Sequence, residues 1–224
     1  MKRLYRLLTL RGHRLSLVRG IASVFGFRMD HTIRVAYIDE WKRYLVTLPI
    51  STLSALEISP EKVSHWRNAG FGSYTAVAYP EFDITQQVLP RKFDVIIADN
   101  VFEHLRDPHQ AARNILAMLS DNGVFMLVTP FLVRIHAVPG DFTRWTPDGL
   151  KAMLQDSGFD ADVRGWGNRR AVKANLSRWR FYGWGLTSSL RTEPDFLTTV
   201  WAYARKSGMP LAGTIPEQCS VRGR

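Results

Sequence analysis

From residue 53 onward, short apolar runs alternate with amphipathic stretches, and the alternation predicts a series of elements. "LSALEIS" (53–59) reads as a strand. "PEKVSHWRNAG" (60–70) reads as a short helix, with Pro60 near its start and Gly70 at its end. "SYTAVAY" (73–79) is a second strand and "EFDI" (81–84) a brief third. "FDVIIA" (93–98) has the clearest strand pattern, apolar and β-branched at its centre. "DPHQAARNILAMLSDNG" (107–123) predicts a helix, with Asp107 as N-cap, Pro108 in the first turn and Gly123 past the end. "VFMLVTP" (124–130) is a strand, and "TPDGLKAMLQDSGF" (146–159) repeats the Thr cap, Pro start and Gly stop. "FLTTVWAYARK" (196–206) is the last strand. Before residue 50 the pattern is mostly helical and includes "IDEWKRYLVTL".

Strands alternating with helices imply an α/β fold with a doubly wound, mainly parallel sheet. The expected division is an N-terminal helical segment (1–50), an α/β domain (51–206) and a flexible, Gly- and Pro-containing tail (207–224). In such sheets a ligand lies beyond the carboxyl ends of the strands. The stretch "FDVIIADNVFEHLRDP" therefore delivers Asp99, Asn100, Glu103 and His104 to the ligand edge.

Charge adds candidate partners. The 224-residue chain carries a net charge of +10. Lys2, Arg3, Arg6, Arg11, Arg14, Arg19 and Arg28 crowd the first 28 residues without an acid. A second basic stretch holds Arg164, Arg169, Arg170, Lys173, Arg178 and Arg180. Such stretches suit anionic partners, or form solvated basic faces. Leu4, Leu7, Leu8, Leu15, Leu17 and Val18 recur at roughly helical spacing, which fits a basic amphipathic helix on an anionic membrane surface or a helix packed on the domain. No apolar run reaches the ~20 residues that would span a bilayer. The one cysteine, Cys219, excludes an intrachain disulfide and a multi-thiolate site. A cytoplasmic location, peripheral at the membrane, is the expectation. The six histidines are dispersed without H-x-x-x-H spacing, so no metal is expected.

Four segments, "ALEIS", "FDVIIADNVFEHLRDP", "MLSDNGVFMLVTP" and "HAVPGDFTRWTPDGLKAMLQDSGF", resemble the class I S-adenosylmethionine-dependent methyltransferases. More narrowly they resemble short bacterial members acting on sugars, lipids and secondary metabolites. The resemblance implies S-adenosylmethionine as cofactor. It implies that Glu57 helps hold the methionine end and that Asp83 accepts from the adenine amino group, with Ile84 flanking the ring. Asp99, Asn100 and Val101 would line the methionine moiety, beside His104. Two places depart from the family pattern. The glycine-rich loop after the first strand is replaced by Glu57-Ile58-Ser59-Pro60-Glu61-Lys62, and the ribose-binding acid falls near Ala78 or Tyr79, with Glu81 close by.

The expected activity is methyl transfer, O-directed, to a small-molecule, sugar or lipid-linked acceptor. The alternative is a catalytically inactive relative serving as a binding or scaffold protein. An alcohol acceptor must lose a proton, which suits a histidine near its ordinary pKa. His136, in "RIHAVPGDFTRW", is the preferred base and His104 the second candidate; His104 alternatively bonds backbone at a helix start. Asp141 would orient His136 or cap a turn with Gly140. Arg144 would grip an anionic acceptor or pair with Asp141. The aromatic and basic stretch 165–185, with Trp166, Trp179, Phe181, Tyr182 and Trp184, is expected to cover the acceptor pocket. Nucleic acid is set aside, because no RNA-binding signature and no N/D-P-P-Y/F motif occurs.

Overall fold

The computed structural model describes residues 32–61, 64–177 and 191–217. Helix α1 (Thr32–Leu45) leads into strands β1 (Ser54–Ile58), β2 (Ser73–Val77) and β3 (Phe93–Asp99). Helix α2 (Pro108–Met118), strand β4 (Leu119–Pro130) and helix α3 (Pro147–Asp156) follow. The chain continues as β5 (Phe159–Trp166), helix α4 (Arg169–Ser177) and β6 (Thr199–Lys206). The strands form one sheet in the order β2-β1-β3-β4-β6-β5. The first four of these pair in parallel, and β6 runs antiparallel to both β4 and β5.

Strand alternation sorts the side chains into two cores, because successive residues of a strand face opposite sides. Ile96 and Ala98, Phe125 and Leu127, and Val200, Ala202 and Ala204 meet α2 and α3 through Ala111, Ile115, Leu150 and Leu154. Val95 and Ile97, Val124, Met126 and Val128, and Trp201 and Tyr203 face the other way, onto α1. Helix α1 buries Tyr37, Ile38, Trp41, Tyr44 and Leu45 at helical spacing. Each such side chain contributes about 1.5–3 kcal/mol on burial. On the same face Glu40, 2% exposed, accepts from the Trp201 indole at 3.0 Å and the Tyr203 hydroxyl at 3.1 Å, and pairs with Arg164 at 3.2 Å. These partners compensate a buried charge and pin α1 to the far edge of the sheet.

Three element predictions are corrected, and two elements were not expected. Residues 64–70 form bends and turns instead of a helix: the Ser64 hydroxyl accepts from the Trp66 and Arg67 amides at 3.0 and 3.2 Å, closing a local turn. Residues 81–84 form no strand, because Asp83 Oδ1 accepts from the Thr85 amide at 2.9 Å and its hydroxyl at 2.7 Å, curling the chain away from the sheet. The helix expected to reach Gly123 ends at Met118, and Leu119 starts β4 directly. Gly123 instead lies within β4, where a Cβ would stand 2.9 Å from Leu119 Cδ1 and 3.1 Å from the Asp94 carbonyl oxygen. Strand β5 and helix α4 were not expected. The N-terminal basic segment (1–28) and residues 178–185 of the aromatic stretch lie outside the described residues.

Candidate functional site

The parallel strands β1, β3 and β4 bring their carboxyl ends to one edge of the sheet. Immediately past two of those ends the backbone enters the left-handed region at non-glycine residues, with φ 50° at Ser59 and 56° at Asn100. Such backbone is unfavourable for residues other than glycine and concentrates at functional sites. Ser59 still donates its amide to the Val77 carbonyl at 2.7 Å, and Asn100 to Val128 at 3.0 Å. Both chain reversals are therefore anchored to neighbouring strands.

Two carboxylates stand at this edge. Asp99 accepts from the Tyr37 hydroxyl at 2.7 Å, the Trp66 indole at 3.1 Å and the Asn100 amide at 2.8 Å. Glu57 is 2% exposed and accepts from the Ser64 hydroxyl at 2.5 Å and from the Tyr74 hydroxyl. Burial pushes the Glu57 carboxyl above its usual range; the two hydroxyls oppose this and nearby Asp99 adds to it. The hydroxyl, indole and amide donors to these two groups are neutral, while the Arg67 guanidinium acts on Glu57 and Arg34 lies in the field of Asp99. Sequence reasoning did not single out Tyr37, Trp66 or Tyr74, which come from three separate segments.

Val101 is buried and precedes a single 3₁₀ turn, Phe102–His104. Asp83 and Ile84 sit elsewhere, in the turn after β2 and not at a strand end. There the buried Ile84 offers its carbonyl to the Asn114 amide at 2.7 Å.

The 3₁₀ turn places Glu103 inward, fully buried, with neither carboxylate oxygen hydrogen-bonded among the described residues. Burial pushes its carboxyl up to about 8. The His104 Nε2 and His136 Nε2 atoms each lie 3.7 Å from Glu103 Oε1, and the two imidazole rings meet edge to face with centroids 5.0 Å apart. Burial, and then His104, depress the His136 pKa, so this imidazole is neutral at neutral pH. His104 Nδ1 contacts the Gly140 carbonyl oxygen, so that nitrogen carries the proton.

His136 reaches this position because its loop is fastened at several points. The Phe142 amide donates to the Glu103 carbonyl at 2.7 Å, and the Thr143 hydroxyl to the Phe102 carbonyl at 3.2 Å. Asp141 accepts from the His136 backbone amide at 3.0 Å and from Arg144 Nε at 2.8 Å. Arg144 also donates to the Phe131 carbonyl at 2.9 Å. The Arg144 hydrogen bond holds the Asp141 carboxyl down, to about 2. Asp141 thus shapes the loop through backbone, with Arg144 as its ion-pair partner.

The structure therefore brings Glu57, Asp99 and Asn100 together, and His104 and His136 together. Glu103 was recognised in the sequence only as a polar neighbour of His104. Arg164 of the second basic stretch is engaged in ion pairs with Glu40 and Asp162, and the Arg169 guanidinium stacks 4.7 Å from the Phe196 ring centroid.

Residues 37–125 match the sequence model of a family described as "Methyltransferase domain". No curated protein matches. Among solved structures, an S-adenosylmethionine-dependent methyltransferase from Mesorhizobium loti superposes with a TM-score of 0.50 at 15% identity, covering 75% of this chain and 100% of that one. An O-methyltransferase from a polyketide synthase multienzyme of Brevibacillus brevis, solved with S-adenosylhomocysteine, superposes with a TM-score of 0.50 at 11% identity, covering 75% of this chain and 71% of that one. These likenesses establish the fold.

Proposed function

We propose that the chain is a class I S-adenosylmethionine-dependent methyltransferase that methylates an oxygen of a small-molecule, sugar or lipid-linked acceptor. The cofactor, when bound, supplies a methyl group on a positively charged sulfur that an in-line acceptor displaces. The edge of the sheet fits its cationic methionine end. Asp99 lies close enough to disfavour the Glu57 charge, and a cationic group offsets that repulsion. Glu57, Asp99, Asn100 and Val101 would hold this end, and Asp83 and Ile84 would meet the adenine.

The observation that carries the oxygen-directed reading is the pair His104 and His136 facing buried Glu103. His136 is neutral and on the loop beyond β4, so its imidazole accepts the proton of an acceptor hydroxyl. Asp141 and Arg144 fix the loop, which limits the imidazole to few orientations and lowers the cost of alignment. The basic segment 1–28 holds the protein at an anionic membrane surface, on the cytoplasmic side, where a lipid-linked acceptor is presented. The test is a screen of hydroxylated acceptors for S-adenosylhomocysteine release by the full chain. Turnover with a hydroxyl acceptor, lost when that hydroxyl is already methylated, supports the reading; turnover confined to amines or thiols overturns it.

A further inference from the structure

We infer that Glu103, His104 and His136 form a binding site for one first-row divalent transition-metal ion, with zinc as the simplest occupant. Their ligand atoms all lie within 4.8 Å of one another. A tetrahedral ion bound at ~2.0–2.2 Å draws such atoms to about 3.4 Å apart. The observed 3.7 Å from each imidazole Nε2 to Glu103 Oε1 needs only a small contraction. That separation is too long for a hydrogen bond.

Three further features point to an ion. Glu103 is 0% exposed, and neither of its carboxylate oxygens has a hydrogen-bond partner among the described residues. A buried polar group without partners is costly, and a coordinated cation removes the cost. The Nδ1 proton of His104 points at the Gly140 carbonyl oxygen, which leaves the Nε2 lone pair directed at Glu103. This is the outer hydrogen bond that orients histidine ligands in metal sites. The side chains of His104 and His136 are 18% and 25% exposed, so an ion can enter from the solvent side.

Two imidazoles and one carboxylate favour zinc, iron(II), cobalt(II) or nickel(II) over magnesium, which prefers oxygen ligands throughout. Three protein ligands leave a coordination position open to water or to an acceptor oxygen. An ion held here occupies the His136 lone pair that would take an acceptor proton. Metal occupancy and direct proton transfer at His136 therefore exclude each other. The binding inference itself does not depend on the methyl-transfer reading.

The test uses the full chain in a Cys219→Ser background, stripped with chelator and titrated with zinc and, separately, cobalt(II). The expected result is one equivalent of zinc bound, with cobalt giving visible d–d absorption of an imidazole-ligated ion. Glu103→Gln and His136→Ala should each weaken zinc binding at least 100-fold, while His109→Ala, at an exposed histidine, changes nothing. If Glu103→Gln does not fold, His136→Ala decides. Zinc affinity unchanged in a folded His136→Ala variant, or no saturable binding by the parent at 100-fold excess ion, overturns the inference. S-adenosylmethionine titration of the same samples is read separately, so loss of metal binding with cofactor binding intact rejects this site alone.

Discussion

His104 and His136, far apart in the sequence, meet edge to face with ring centroids 5.0 Å apart, and each directs Nε2 at one oxygen of Glu103. The contact joins the 3₁₀ turn after β3 to the loop after β4. Both segments leave the carboxyl ends of two neighbouring parallel strands. The expected consequence is that the two histidines differ in role. His136→Ala should lower methyl-transfer turnover ~100-fold or more, as for loss of a general base, with cofactor affinity nearly unchanged. His104→Ala also removes the tether to Gly140 and should disturb cofactor affinity more. Paired cofactor titration and single-turnover measurement distinguish them; full turnover in His136→Ala removes it as the base.

Asp83 tests the adenine end. Its Oδ1 already serves Thr85, so Asp83→Asn can keep that turn while exchanging the other oxygen for a donor. Cofactor binding should weaken by about 1–3 kcal/mol, the cost of an unpaired buried amine. Unchanged affinity in the folded variant places the adenine elsewhere.

Gly123 tests the junction of α2 and β4. A Cβ there stands 2.9 Å from Leu119 Cδ1 and 3.1 Å from the Asp94 carbonyl oxygen. The side chain can yield but the backbone cannot do so freely, so Gly123→Ala should destabilise by about 1–3 kcal/mol. Chemical denaturation checks this, and a variant as stable as the parent refutes the packing argument.

Asp94 gives the sign of one pH effect. Burial opposes its charge, but the Ser54 amide and hydroxyl at 2.9 and 2.7 Å and the Ser120 hydroxyl at 3.1 Å outweigh it and lower the pKa. The stabilisation is present above the unfolded-state pKa and disappears as pH falls through the lower folded value. Asp94→Asn should cost about 1–2 kcal/mol at neutral pH, tempered by solvent screening, with the difference shrinking below about pH 4. A difference that persists unchanged into acid contradicts the electrostatic origin.

The basic N-terminal segment tests the membrane proposal. Deleting residues 1–28 should abolish salt-sensitive binding to anionic vesicles while leaving thermal unfolding of the remainder unchanged. Vesicle binding that survives the deletion contradicts it.

The sequence displayed the centre of the fold better than its margins. Phe93–Asp99 was legible because both faces of this strand are covered, giving an unbroken apolar run. Thr146 announced α3 because its hydroxyl caps the Gly149 amide at 3.1 Å. Strand β5 was missed although Phe159, Ala161 and Val163 alternate with Asp160, Asp162 and Arg164: its edge position leaves one face polar, and it begins directly after Gly158 at the end of α3. The false strand at 81–84 had apolar composition but an Asx turn at Asp83 governed the backbone. At the site, Glu57, Asp99 and Asn100 were legible because each ends or directly follows a strand. Glu103 was not, since its significance depends on burial and on His136 returning from the next loop. Its adjacency to His104 at a strand-to-turn exit was the available signal.

Calorimetric titration of the full chain with S-adenosylmethionine and S-adenosylhomocysteine tests cofactor binding most directly. Saturable binding of one equivalent of each is the expected result, because Glu57, Asp99 and Asn100 stand together at the carboxyl edge of the parallel strands. Absence of heat and of any competition at millimolar ligand, in folded protein, contradicts it and leaves the chain a methyltransferase fold without the cofactor chemistry.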